Sequence, residues 1–213
     1  MSSHIVIVDL EISNLASVLQ ALRQIGAPPH AFATAQNIEF ADAILLPGVG
    51  AFGDGMGSLR QKQLIDPIKR AAGRGTPIFG ICLGMQLLAE HSEEFGSHEG
   101  LGLIKGEVVR LRPSEPEFRV PNIGWCDVEA VRPSVFFPNS AAGCYYHVHS
   151  YHLVPKDRAV AVGIIDYAGS QHVVALDTGN LFGVQFHPEK SQDDGLRVLA
   201  NFFAALPHMQ RPS

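Results

Sequence analysis

Cysteine is scarce. The 213-residue chain has three, at Cys82, Cys126 and Cys144, an odd number with no Cys-x-x-Cys spacing. That argues against a disulfide framework and for reduced thiols in a cytoplasmic setting. Long apolar runs are also missing, which excludes a helical membrane span. There is no block of Lys or Arg, and the net charge is −5. Both speak against a nucleic-acid surface. The opening Met1-Ser2-Ser3-His4 leads straight into an apolar strand, unlike a signal peptide. No repeat, low-complexity tract or interdomain linker interrupts the chain, so one domain over 1–213 is expected. What is present is a hydrophobic content of 46% with 17% charged residues, enough for a sizeable core.

The pattern is α/β. Residues 5–9 and 41–46 read as buried parallel strands, and 77–81 is a third with Pro77 at its entrance. Helices are expected over 14–24, with Asn14 as cap, over 55–72, from Leu83 through Glu90, and over 193–205. After Gly96 come short, often alternating runs at 103–111, 124–128, 144–150, 159–165, 173–176 and 181–186, which read as strands and hairpins. Residues 112–118 read as an exposed loop. Ligand sites of open α/β sheets lie beyond the carboxyl ends of strands, which marks the loop 9–14.

Three motifs carry chemistry. In Gly80-Ile81-Cys82-Leu83-Gly84 a thiol stands where a strand turns into a helix, flanked by glycines two positions either side. A nucleophile elbow needs small residues there because its strained turn presses neighbouring backbone together. The helix N-terminus favours a thiolate. The bland alternative is an inert core cysteine. Pro47-Gly48-Val49-Gly50-Ala51-Phe52-Gly53 formally matches a dinucleotide fingerprint, but it does not follow the first strand and lacks the acid about 20 residues on. It reads better as a loop whose N–H groups, at Val49 and its neighbours, face an anion that forms during reaction. In Phe186-His187-Pro188-Glu189, His187 and Glu189 stand two apart at a strand end. They are expected on one face, with the carboxylate orienting the ring as a base for the cysteine. His147 and His149 share a strand face, and with His152 they form an alternative cluster. Metal binding there is disfavoured because no Cys or carboxylate completes a ligand set, so neither a metal nor a cofactor is expected.

Together these motifs resemble the class I (triad) glutamine amidotransferases. Gly124-Trp125 and Val148-His149-Ser150-Tyr151 narrow the resemblance to the glutaminase subunits of imidazole glycerol phosphate synthase, essentially end to end. The resemblance implies a single-domain fold with a mostly parallel central sheet flanked by helices and further mixed strands in the C-terminal half. It implies that Cys82, His187 and Glu189 hydrolyse glutamine through a thioester. Leu83 and the Gly48–Val49 peptide would supply the oxyanion hole. Gly50, Gln86, His149, Ser150 and Tyr151 would hold glutamine. Asn14, Trp125, Tyr146 and Lys190 would face a (βα)₈-barrel synthase subunit that receives ammonia.

The first loop departs from the family's Asp-Tyr-Gly-x-Gly-Asn, with Glu11 and Ser13 in place of both glycines. Asn122 stands where His is usual, and Cys126 where Asn is usual. The altered loop keeps a second partner open, a synthetase that makes amidine-bearing sugars of surface polysaccharides.

Overall fold

The computed structural model describes residues 4–11, 15–28, 30–113, 118–139 and 143–209. Its spine is a nine-stranded sheet in the order β2-β1-β3-β4-β13-β12-β11-β8-β9. The parallel half comprises β2 (His30–Phe32), β1 (Ile5–Ile7), β3 (Ala43–Gly48), β4 (Ile78–Cys82) and β13 (Leu181–Val184). The other half, β12 (Ser170–Asp177), β11 (Ala161–Tyr167), β8 (Asn122–Ala130) and β9 (Gly143–His149), continues the same sheet by antiparallel pairing. A second sheet of four strands has the order β10 (Tyr151–Pro155), β7 (Ile104–Arg110), β5 (Ala89–Ser92), β6 (His98–Glu99).

Side chains alternate across the parallel strands. Ile5, Ile7, Leu45, Phe79 and Phe182 pack with α1 (Leu15–Gln24) and α5 (Gln192–Ala205) on one face. Val6, Val8, Ile44, Leu46 and Ile78 pack with α2 (Phe52–Gln61), α3 (Ile65–Gly73) and α4 (Leu83–Leu87) on the other. Strands buried on both faces read as continuous apolar runs, which is how they were visible in the sequence.

Two helix expectations need correction. The helix over 55–72 is two, α2 and α3, parted where Gln63 takes φ 57°. The helix from Leu83 does not reach Glu90. It stops at Leu87, and the chain enters β5. The carbonyls that would have carried the next turn are taken from outside: Leu101 N–H donates to Leu87 O at 2.9 Å, and Leu103 and Ile104 N–H donate to Leu88 O at 2.9 and 2.8 Å. Tertiary bonding overrides local helical spacing here. The expected cap Asn14, Ser13, and residues 114–117 of the loop expected over 112–118 lie outside the described residues.

Candidate functional site

Three neighbouring strand ends build the site. Gly48 of β3 pairs in register with Cys82 of β4, and Val184 of β13 with Ile81. The loop after β3, the thiol ending β4 and the segment after β13 therefore converge at one edge of the sheet, as open α/β sheets place their ligands.

Cys82 sits at φ 52°, ψ −109°, a conformation that costs about 1–3 kcal/mol for a residue with a side chain. The flanking glycines explain how it is held. A Cβ on Gly80 would lie 2.5 Å from Gly84 O, and one on Gly84 only 1.6 Å from Leu46 O. The backbone of α4 is pressed against β3 and β4 with no room for a methyl group. The thiol is buried and, like the other two cysteines, free.

His187 and Glu189 are in contact, with His187 Nδ1 2.8 Å from Glu189 Oε1 and both side chains almost fully buried. Their geometry differs from the expected strand alternation. Only His187 is extended, and Glu189 is brought round by the 3-10 turn Pro188–Lys190. Ser191 secures that turn, its hydroxyl donating to His187 O at 2.6 Å and accepting from Tyr146 N–H at 2.9 Å.

Burial pushes His187 down. The Cys82 sulfur and the Glu189 carboxylate outweigh it and raise the pKa to about 10. With Nδ1 on Glu189, Nε2 is the nitrogen left to serve the thiol, and a hydrogen bond with the Cys82 sulfur is among the contributions that raise the pKa of the ring. A raised histidine pKa stabilises the fold fully below the unfolded value of about 6.5, and the contribution is lost as pH climbs through the folded value. The stability gap between wild type and His187→Gln should thus be widest near pH 6 and shrink toward about pH 10. Thermal unfolding midpoints across that range measure it, and a pH-independent gap would contradict a charged imidazole.

A cavity of about 310 Å³ opens in front of the thiol, lined by Val49, Gly50, Cys82, Leu83, Gln86, Glu94, Pro121, Val148, His149, Ser150, Tyr151 and His187. Of the residues expected around glutamine or an oxyanion, all but Gly48 line it. Gly48 stands just behind, beside Cys82, where a Cβ would crowd Leu10 and Leu83 at 3.0 and 3.1 Å.

His149, Ser150 and Tyr151 arrive together because the chain leaves β9 and bends at Ser150 into the second sheet. Glu94 is brought in from the segment after β5. It is 9% exposed and accepts from Phe52 N–H, at the start of α2, at 2.7 Å. Burial raises its pKa despite that bond. Sequence reasoning missed Glu94, because it lies in a polar stretch whose approach to the thiol depends on the early end of α4.

His147 and His149 do not converge on a metal position. Their rings face each other, Nδ1 to Nε2, at 3.3 Å, while His152 packs edge-on against His172 with centroids 4.5 Å apart. Among the described residues no group of three His, Cys, Asp or Glu is placed to hold a metal ion.

Of the residues expected to face a partner, three form an outer cluster. Trp125, 48% exposed, meets Tyr146 edge-on at 6.0 Å, and Lys190 Nζ lies 5.9 Å from the Tyr146 ring centre. Exposed Ile123 lies on the same face of β8. Asn14 is outside the described residues. At Glu11, which stands where the family has glycine, the backbone takes φ 63°, held by an Asx turn to Asp9 at 2.8 Å and an ion pair with Lys62 at 2.6 Å. At the two inner departures, the Asn122 amide and the Cys126 thiol contact each other at 3.6 Å.

The family model described as glutamine amidotransferase class-I matches residues 6–206. A protein of Moorella thermoacetica named imidazole glycerol phosphate synthase subunit HisH is 45% identical over 96% of both chains. A Rhodopirellula baltica protein of the same name is 42% identical over 94% of this chain and 97% of its own. Among solved structures, PurLQS from Thermotoga maritima superposes with a TM-score of 0.74 at 24% identity, covering 97% of this chain and 100% of that one. A glutamine amidotransferase crystal structure superposes at 0.73 and 18% identity, covering 95% and 98%.

Proposed function

Because the chain belongs to the class I glutamine amidotransferases, we propose that it is the glutaminase subunit of an imidazole glycerol phosphate synthase, hydrolysing glutamine and passing the ammonia to a (βα)₈-barrel synthase subunit. The observation that carries the chemistry is the single cavity in which Cys82 and His187 share a wall with Gln86 and Glu94. In the proposed reaction the Cys82 thiolate attacks the side-chain amide carbon. The oxyanion is met by the N–H groups of Val49 and Leu83, both at the cavity. His187, oriented by Glu189, gives its Nε2 proton to the departing nitrogen, so ammonia leaves and a glutamyl thioester remains. Water then attacks, His187 accepts its proton, and the thiolate departs from glutamate. Glu94 is the carboxylate suited to the ammonium of the bound amino acid. Gln86, Gly50 and the His149-Ser150-Tyr151 segment would hold its other end.

The exposed Trp125, Tyr146 and Lys190 cluster is the proposed partner surface. The names of the 42–45% identical relatives favour the barrel synthase over a sugar-amidating synthetase, and Glu11 takes a left-handed φ of the kind glycine adopts. Biosynthetic work with free thiols suits a cytoplasmic heterodimer.

Glutamate release from glutamine tests the proposal. The chain alone is expected to turn over slowly, since glycines beside Val49 allow the peptide to face away until a partner shifts it. Adding the barrel subunit should raise the rate. In that complex, Glu94→Gln should raise KM more than it lowers kcat, by about tenfold or more for the lost charge-assisted bond. High activity of the isolated chain, or no response to the barrel subunit, would refute the partner assignment.

A further inference from the structure

One fully buried polar side chain at the site has no part in the scheme above. Gln185 has 0% exposure and lies two residues before His187. Its orientation follows from a chain of hydrogen bonds that begins at an atom with no choice. The carbonyl oxygen of Tyr151 can only accept, and it takes Gln86 Nε2 at 2.8 Å and His149 Nδ1 at 3.0 Å. The second hydrogen of Gln86 Nε2 goes to Gln185 Oε1 at 3.0 Å. With its oxygen held there, Gln185 must turn its amide nitrogen the other way, and Nε2 donates to Cys82 Sγ at 3.7 Å. Neither amide can be reversed without setting oxygen against oxygen or nitrogen against nitrogen.

We propose that Gln185 is a built-in N–H donor to the Cys82 sulfur, holding it as a thiolate, with the Tyr151 carbonyl as the anchor that sets the polarity of the network. This rests on Cys82 being the glutaminase nucleophile and adds a residue to that reaction. A donor aimed at sulfur stabilises the charged form over the thiol. The burial of Sγ makes the bond count for more than it would in water. The donor comes from beyond β13, and it differs from His187 in kind: the imidazolium also favours the thiolate but gives up its proton during turnover, whereas the Gln185 amide keeps its hydrogen throughout.

The same carbonyl orders a second branch. His149 donates through Nδ1 and so must accept at Nε2, where His147 Nδ1 donates at 3.3 Å. Burial lowers His149 to about 4, and the neutral tautomer is thereby fixed.

The test is alkylation of the full chain by iodoacetamide across pH, read by mass spectrometry of the Cys82 peptide. Burial raises Cys126 and Cys144, so they react late and are resolved by peptide. In Gln185→Met the profile should move up by about one pH unit, the worth of one hydrogen bond, and the rate on its acid side should fall about tenfold. Gln185→Glu keeps the acceptor for Gln86 and sets a carboxylate oxygen against sulfur. It should move the profile further, and it decides alone if the methionine variant does not fold. A folded variant with the wild-type profile overturns the proposal, and so does a slower rate without a pH shift, which would mark a steric role. If wild-type Cys82 shows no preferential alkylation at neutral pH, the nucleophile reading itself fails.

Discussion

Replacing Cys82 with alanine is expected to lower glutamine hydrolysis in the partnered enzyme by at least about 10⁴-fold, because residues acting as one catalytic unit fail together when the nucleophile is removed. Nothing else in the cavity can take over. Its other polar side chains are an acid, three amide or hydroxyl groups and two buried histidines, none a nucleophile placed at an elbow. Glutamine binding should survive, since Gln86 is anchored through the Tyr151 carbonyl and Glu94 through Phe52 N–H, neither bond involving the thiol. The variant also tests the electrostatics. Burial lowers the pKa of His187, and the Cys82 sulfur supplies the largest opposing contribution. Without that sulfur only Glu189 remains to hold the imidazolium, so the ring should titrate at lower pH than in the wild type. Glutamate release, glutamine titration and the histidine NMR signal report the three effects separately. Turnover near the wild-type rate in Cys82→Ala would end the proposed mechanism.

How much of this site could be read from the sequence depends on whether a constraint is local. Gly80 is required by the backbone path around Cys82, where a Cβ would meet Gly84 and Met85, and that path is written within six residues. Gly84 is visible as its symmetric partner, although what it makes room for is Leu46 of β3. Glu189 was legible as the neighbour of His187, although the contact is made by a 3-10 turn and not by strand alternation. Two positions apart suffices for either geometry, so the pairing was visible while its cause was not. Gln185 was illegible as a donor. Its function is defined by Gln86, 99 positions away, and in the chain it looks like a polar residue between two phenylalanine-containing stretches. Glu94 was hidden for a related reason, since its approach to the cavity requires α4 to stop at Leu87 where helical spacing argued for continuation. The parallel strands announced themselves by continuous apolar runs. The edge strand β2 did not, being three half-exposed residues with nothing buried to form a pattern.

Gly84→Ala is the substitution expected to damage the fold most for the least added mass. The new methyl group would lie 1.6 Å from the carbonyl oxygen of Leu46 and 3.2 Å from that residue's Cγ. Backbone cannot swing aside as a long side chain can, so β3 and α4 must separate. That movement breaks packing between Leu46, Leu83 and Leu87, which lie in one buried cluster. A loss of at least about 4 kcal/mol is expected, an exceptional value for one methyl group, which for a domain of this size lowers Tm by roughly 10 °C or prevents folding. Gly57→Ala, within α2, is the control. A Cβ there meets nothing within 4 Å, and alanine should stabilise the helix by up to about 1 kcal/mol. The pair of thermal melts separates a steric requirement at Gly84 from a general intolerance of alanine. Two substitutions of equal chemistry giving similar melts would mean that the close approach of α4 to β3 is absent. The consequence reaches the chemistry as well. That approach also places Leu83 along one cavity with Val49 and Cys82, so a partly folded Gly84→Ala protein should lose turnover more steeply than it loses glutamine binding.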